Sequence, residues 1–398
     1  MKLLSQMVAV LVASLTATGF SVDAVSAPEL NERTVDLGND VSLRVIEAGD
    51  PTSGATLVFI PGWSTTADIW REQINRFAPS YRVISFDPRS QGRSTITATG
   101  NTPETRAQDL RTLLDQLIAR RPVLIGWSQG VEDIAAFINR YGTGDVSGIV
   151  LVDAALSPGA EDMAARNAQQ TAGQLKTYGV YQAHQQEYLT DMMRAIVSKP
   201  QSNDTIEQLI TMALKTPSDI GVAMRLADTF GVNRMSALKK IDCPTLVIAS
   251  ARSGSLAQQQ AQAKQISRAH FEKIDDAAHA VFLDQPNRFD QLLESFVANL
   301  TTSPSALPVT IGAASRAQEN PAPVETQKQE VVVPKPLEQY SVTQAVTNAK
   351  RKTSQRTRHV ARPRPNFFGR FVAGLIKLQK YQPADHLVKL SQARGTAK

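Results

Sequence analysis

Val123-Leu124-Ile125-Gly126-Trp127-Ser128-Gln129-Gly130-Val131 is the stretch on which the fold turns. A short aliphatic run at 123–125 suits a strand buried on both faces, and helical spacing begins directly afterwards, over 131–141. Between them stands G-x-S-x-G. A sharp strand-to-helix turn needs small residues, so Gly126 and Gly130 relieve backbone crowding while Ser128 projects at the carboxyl end of the strand. There the amino end of the helix favours developing negative charge. The bare pattern also describes an ordinary Gly/Ser turn; the strand before it and the helix after it make Ser128 a candidate nucleophile.

Working outward, further short β-branched runs lie at 56–60, 82–86, 148–152 and 245–249, and helical segments at 67–77, 104–117 and 287–300. This alternation predicts an α/β, doubly wound, mostly parallel sheet. The stretch 158–240 breaks the rhythm, with helical pattern but no good strand, and holds six of the eight Met residues. It reads as a helical cap insertion. Its methionines suit either an adaptable apolar surface or the insertion's own core.

The ends differ in composition. Lys2, an apolar run at 7–15 and small residues up to Ala27 read as a signal peptide over 1–27, with Ala24 as the alternative cleavage site and an uncleaved anchor as the alternative role. The expected location is therefore secreted or periplasmic. The alternating α/β domain is assigned to 28–300. Residues 301–349 form a Pro-rich linker, and 350–398 a basic tail with an amphipathic helix at about 366–381. The chain is +6 overall, but residues 301–398 carry 16 Lys and Arg against 5 Asp and Glu, leaving 27 against 32 for residues 1–300. The tail is thus expected to dock on an anionic membrane or envelope surface, or else to stay solvated. No nucleic acid and no stable protein partner are expected.

The single cysteine, Cys243, excludes a disulfide framework and cysteine-clustered metal sites, and the five histidines form no metal-binding helix motif. No metal or organic cofactor is expected.

With these residues in view, the chain resembles the α/β-hydrolase family over 32–300, in its esterase and cofactor-free haloperoxidase branch. Phe59-Ile60-Pro61-Gly62-Trp63 is similar to the family's loop after the third strand, with Pro61 where His is common. The resemblance implies an oxyanion hole formed by the amides of Trp63 and Gln129. Phe86-Asp87-Pro88-Arg89-Ser90-Gln91-Gly92-Arg93-Ser94 is similar to a second family loop and reads as structural. His279, in Asp275-Asp276-Ala277-Ala278-His279, matches the family's catalytic histidine. The usual acid position, near Ser253, lacks a carboxylate. Asp153, at the end of the 148–152 run, is assigned as the relocated acid, with Asp275 or Asp276 as fallbacks, and a dyad remains open.

The expected function is therefore a serine hydrolase acting on carboxylic esters or lactones of small to medium acyl groups through an acyl-enzyme. The cap, Trp63 and Trp127 are expected to line the acyl pocket. Perhydrolysis at the same site, amidase, C–C hydrolase or acyltransferase chemistry, and a non-catalytic ligand-binding scaffold are the alternatives. A serine at the elbow argues against dehalogenase and epoxide hydrolase chemistry, which the resemblance ties to Asp there.

Overall fold

The computed structural model describes residues 28–164 and 168–302. The expected leader and basic tail, and the expected linker from 303 onward, lie outside the described residues; residues 301 and 302 belong to the last helix.

The chain opens with a hairpin, β1 (Leu30–Gly38) and β2 (Val41–Ala48), followed by β3 (Thr56–Ile60), α1 (Arg71–Phe77), β4 (Arg82–Phe86) and α2 (Pro103–Gln116). Next come β5 (Val123–Trp127), α3 (Gln129–Tyr141) and β6 (Gly148–Val152). Five helices intervene before the sheet resumes: α4 (Ala168–Ala183), α5 (Gln185–Ala195), α6 (Asn203–Ala213), α7 (Ser218–Phe230) and α8 (Ser236–Lys240). The remainder is β7 (Thr245–Ser250), α9 (Leu256–Ala263), β8 (Ala269–Ile274), α10 (Val281–Asp284) and α11 (Pro286–Thr302).

The strands form one sheet in the order β1-β2-β4-β3-β5-β6-β7-β8. The β1–β2 and β2–β4 pairs are antiparallel and the rest parallel. Every residue of β3 to β7 is buried, as a sheet covered on both faces requires. Alternate side chains supply two cores. Phe59, Ile125 and Trp127 join Trp70, Phe282 and Phe289 on one face, while Val58, Ile60 and Leu124 join Leu110 and Phe137 on the other. β1 exposes most of its side chains and buries only Val35, so its sequence carries little strand signal; positive φ at Gly38, Asn39 and Asp40 closes its turn.

Of the insertion's methionines, Met193, Met212 and Met224 are buried. They fill the packing of the cap rather than forming an open surface. Cys243 is buried too, and burial pushes its thiol up to about 11, which makes it a packing residue.

One carboxylate works against the fold. Asp290 on α11 accepts a 3.4 Å hydrogen bond from Gln73 Nε2, yet burial pushes its acid up to about 6, while Gln73 Oε1 is buried without a partner. A raised acid favours the folded state while protonated, and that contribution is lost as pH rises from about 4 through about 6. Asp290→Asn removes the charge and offers Gln73 a donor. It is expected to raise Tm by about 2 °C at pH 8 and to leave it unchanged at pH 4 in thermal melts at the two pH values.

Candidate functional site

The parallel register brings the carboxyl ends of four neighbouring strands to one edge: Ile60 pairs with Gly126, Trp127 with Val152, and Val152 with Ile248. Ser128 leaves β5 and Asp153 leaves β6 at that edge, and both have positive φ, 56° and 46°. For non-glycine residues this is a strained conformation held by its surroundings. The Ser128 amide donates to Val152 O (3.1 Å) and the Asp153 amide to Ile248 O (2.8 Å). The glycines on either side are sterically required. A Cβ on Gly126 would lie 2.6 Å from Gly130 O, and one on Gly130 would lie 2.7 Å from Ile60 O.

His279, in the loop after β8, joins the two. Its Nε2 lies 2.9 Å from Ser128 Oγ and its Nδ1 2.8 Å from Asp153 Oδ2. An ionised carboxylate only accepts, so Nδ1 carries the proton and Nε2 is left to accept from the serine hydroxyl. Asp153 Oδ1 accepts in turn from the Ser250 amide (2.8 Å) and Gln259 Nε2 (3.4 Å). Asp153 is 2% exposed, whereas Asp275 and Asp276 are exposed and pair instead with Lys273 (2.7 Å) and Arg252 (3.9 Å). The carboxylate that reaches His279 is Asp153.

Both other sequence-predicted loops meet here. A Cβ on Gly62 would lie 3.1 Å from Ser128 Cβ, so the loop carrying the Trp63 amide abuts the serine. Gln129 is the first residue of α3, where an amide has no intrahelical acceptor. The 86–94 loop is structural, as expected. Asp87 is fully buried and accepts from the Ala67 and Arg93 amides (2.9 Å each), and Arg89 pairs with Asp109. Gln91 adds a role the sequence did not reveal: it accepts from the Ser64 amide (2.6 Å) and donates to Gly62 O and Thr65 O, fixing the loop after β3.

The expectation that Trp127 lines a pocket is corrected. Strand alternation sends its side chain to the Phe282 face, where it is 2% exposed and its indole donates to His279 O (2.9 Å). It supports the histidine from beneath. Trp63, 8% exposed, reaches into the cap and donates to Gly221 O on α7 (2.9 Å). Asp284 was also missed. Its carboxylate accepts from the Ala278, Ser198 and Lys199 amides and so ties the His279 loop to the cap, and no local motif marks that role.

Behind α3 lies a charged network between cap and sheet. Arg106 Nε donates to both oxygens of Asp133 (2.9 and 3.1 Å) and its Nη2 to Asp228 Oδ1 on α7 (3.1 Å). Gln129 Nε2 donates to Asp228 Oδ2. Arg234 pairs with Glu104 and Glu132. Burial pushes Asp133 up to about 7 against the pull of Arg106. Arg106→Met strands two buried carboxylates and is expected to cost about 3–5 kcal/mol in urea unfolding at pH 8. Without the guanidinium burial holds Asp133 higher still, so the variant regains stability by keeping its proton, and that relief is lost as pH rises through the raised range. The deficit is therefore expected to shrink at pH 5.

Comparison with known proteins speaks to the family of the chain. The model of the Alpha/beta hydrolase family matches residues 57–292. A non-heme chloroperoxidase of Streptomyces lividans is 39% identical over 105 residues, which is 26% of this chain and 38% of the relative. That match thus accounts for about two fifths of the relative's length. The 3-oxoadipate enol-lactonase 1 of Acinetobacter baylyi is 23% identical over 262 residues, covering 64% of this chain and 93% of the relative. An esterase structure from Exiguobacterium antarcticum superposes with a TM-score of 0.61 at 20% identity over 67% of this chain and all of that one, a likeness of fold. The sheet order, the elbow at Ser128 and the match across 57–292 together make this chain a member of the alpha/beta hydrolase family.

Proposed function

We propose that the chain is a serine hydrolase that cleaves carboxylic esters or lactones of small to medium acyl groups. The observation that carries the reading is the unbroken hydrogen-bonded line from Ser128 Oγ through His279 to Asp153. In this reading Ser128 Oγ attacks the acyl carbon as His279 Nε2 takes its proton, and the Trp63 and Gln129 amides hold the tetrahedral oxyanion. Collapse expels the alkoxide, which leaves with the proton from His279; in a lactone it stays tethered as the ring opens. Water then attacks the acyl-enzyme, gives its proton to His279 and releases the acid, and Ser128 recovers its hydrogen. Asp153 fixes the tautomer and stabilises the imidazolium.

The likeness to a chloroperoxidase supports a second reaction at the same site, in which hydrogen peroxide replaces water at the acyl-enzyme and a peracid leaves. The leader-like residues 1–27 support an exported protein, and the basic residues 350–398 a tail that rests on an anionic envelope surface.

A fluorophosphonate probe tests the central reading without knowledge of the substrate. The expected result is a single adduct on the peptide containing Ser128, with ester or lactone turnover blocked in proportion. A folded chain that takes no label is a binding protein on a hydrolase scaffold.

A further inference from the structure

One face of α7 lies against both residues whose amides form the proposed oxyanion hole. Gly221 O accepts from the Trp63 indole at one end, and Asp228 accepts from the Gln129 side chain at the other. Between them Arg225 places its guanidinium carbon 5.6 Å from the centre of the Trp63 ring. The Trp63 ring is itself braced edge-on by Tyr181 (4.8 Å) and Tyr188 (6.2 Å).

Arg225 is unlike the other arginines of this region. Arg106 and Arg234 are almost wholly buried, and each donates to two carboxylates. Arg225 keeps 26% of its side chain exposed and donates no hydrogen bond among the described residues. Its nearest carboxylate oxygen, Asp228 Oδ2, is 4.0 Å away and already accepts from Gln129, while Oδ1 accepts from Arg106. A cation over a ring face uses none of its in-plane N–H donors. A guanidinium with a full set of unspent donors therefore stands over the ring of the residue whose amide is assigned to the oxyanion hole, in a partly buried setting where pairing with an anion is stronger than in open water.

We propose that Arg225 binds a carboxylate of the substrate, so that the enzyme acts on esters or lactones that carry a free carboxylate, such as monoesters of dicarboxylic acids. The planar fork matches a carboxylate in two parallel hydrogen bonds, and its place one helical turn beyond Gly221 sets that group on the cap side of the acyl carbon. This specificity rests on the serine hydrolase reading.

The test compares mono-4-nitrophenyl glutarate with 4-nitrophenyl butyrate on the full chain, on Arg225→Gln and on Arg225→Lys. Fluorophosphonate labelling and thermal melts run alongside. In the wild type the anionic ester is expected to have the higher kcat/KM, and free glutarate to compete with the neutral ester. Arg225→Gln is expected to lower the ratio of the two kcat/KM values about 30-fold, largely through KM, and Arg225→Lys to lower it less. A ratio unchanged in Arg225→Gln, or glutarate that does not compete in the wild type, overturns the assignment. If Arg225→Gln fails to fold, the Arg225→Lys ratio and glutarate competition in the wild type decide the matter. Wild type that resists the probe sinks the hydrolase reading instead, which keeps the two failures apart.

Discussion

Ser128→Ala is expected to lower kcat about 10⁶-fold with whichever ester the wild type turns over best, and to abolish fluorophosphonate labelling. The reason is that Ser128 is the residue the turn after β5 presents to the histidine, with its Oγ 2.9 Å from His279 Nε2. Alanine keeps the Cβ, so the cost of φ 56° at this position is carried equally by both proteins. Tm is expected to move by less than about 2 °C, and a folded but inert protein separates chemistry from stability. Groups that act as a unit lose activity non-additively. Adding Asp153→Asn to Ser128→Ala is therefore expected to cost little more. Retention of more than a hundredth of wild-type turnover in the single variant would remove Ser128 from the mechanism.

Asp153→Asn is expected to lower kcat about 10⁴-fold. Geometry explains why an isosteric change costs so much. The Ser250 amide donates to Oδ1 at 2.8 Å, so the asparagine must keep its carbonyl oxygen there and turn its NH₂ toward His279 Nδ1. Nδ1 is then forced to accept, the ring proton moves to Nε2, and the imidazole can no longer take the proton of Ser128. The position near Ser253 offers a check on the assignment. Gln259 Nε2 donates both to Ser253 Oγ (2.9 Å) and to Asp153 Oδ1 (3.4 Å), so the two acid positions share one hydrogen-bonded cluster. Ser253→Asp placed on Asp153→Asn is expected to recover about tenfold or more in kcat. Asp153→Asn within tenfold of the wild type would show that Asp153 merely caps the turn leaving β6.

The parts of this molecule legible in the sequence are those whose physics is local. The all-buried strands β3 to β7 declare themselves as short β-branched runs, and the turn at Ser128 declares itself by glycines that nothing larger can replace. The antiparallel β1 escaped because it sits at an exposed edge and buries a single valine, which leaves no alternation to detect. Trp127 was placed in a pocket because it stands beside the serine in the chain. A strand turns successive side chains to opposite faces, and this one went down into the core beneath His279.

The sequence by itself determined the central strands β3 to β7, the elbow, the helical insertion and the short set of residues able to do acyl chemistry, because turn sterics and hydrophobic period act over a few residues at a time. It left three carboxylates in contention for one histidine. Only the tertiary structure chose among them, because the choice depends on strand register: β6 delivers Asp153 to His279 across 126 residues of chain, while Asp275 and Asp276, a few residues away, point to solvent. The same holds for Gln91, Asp284 and Arg225. Each is unremarkable where it stands in the chain and acquires its surroundings from elements that meet only when the sheet and cap close on each other.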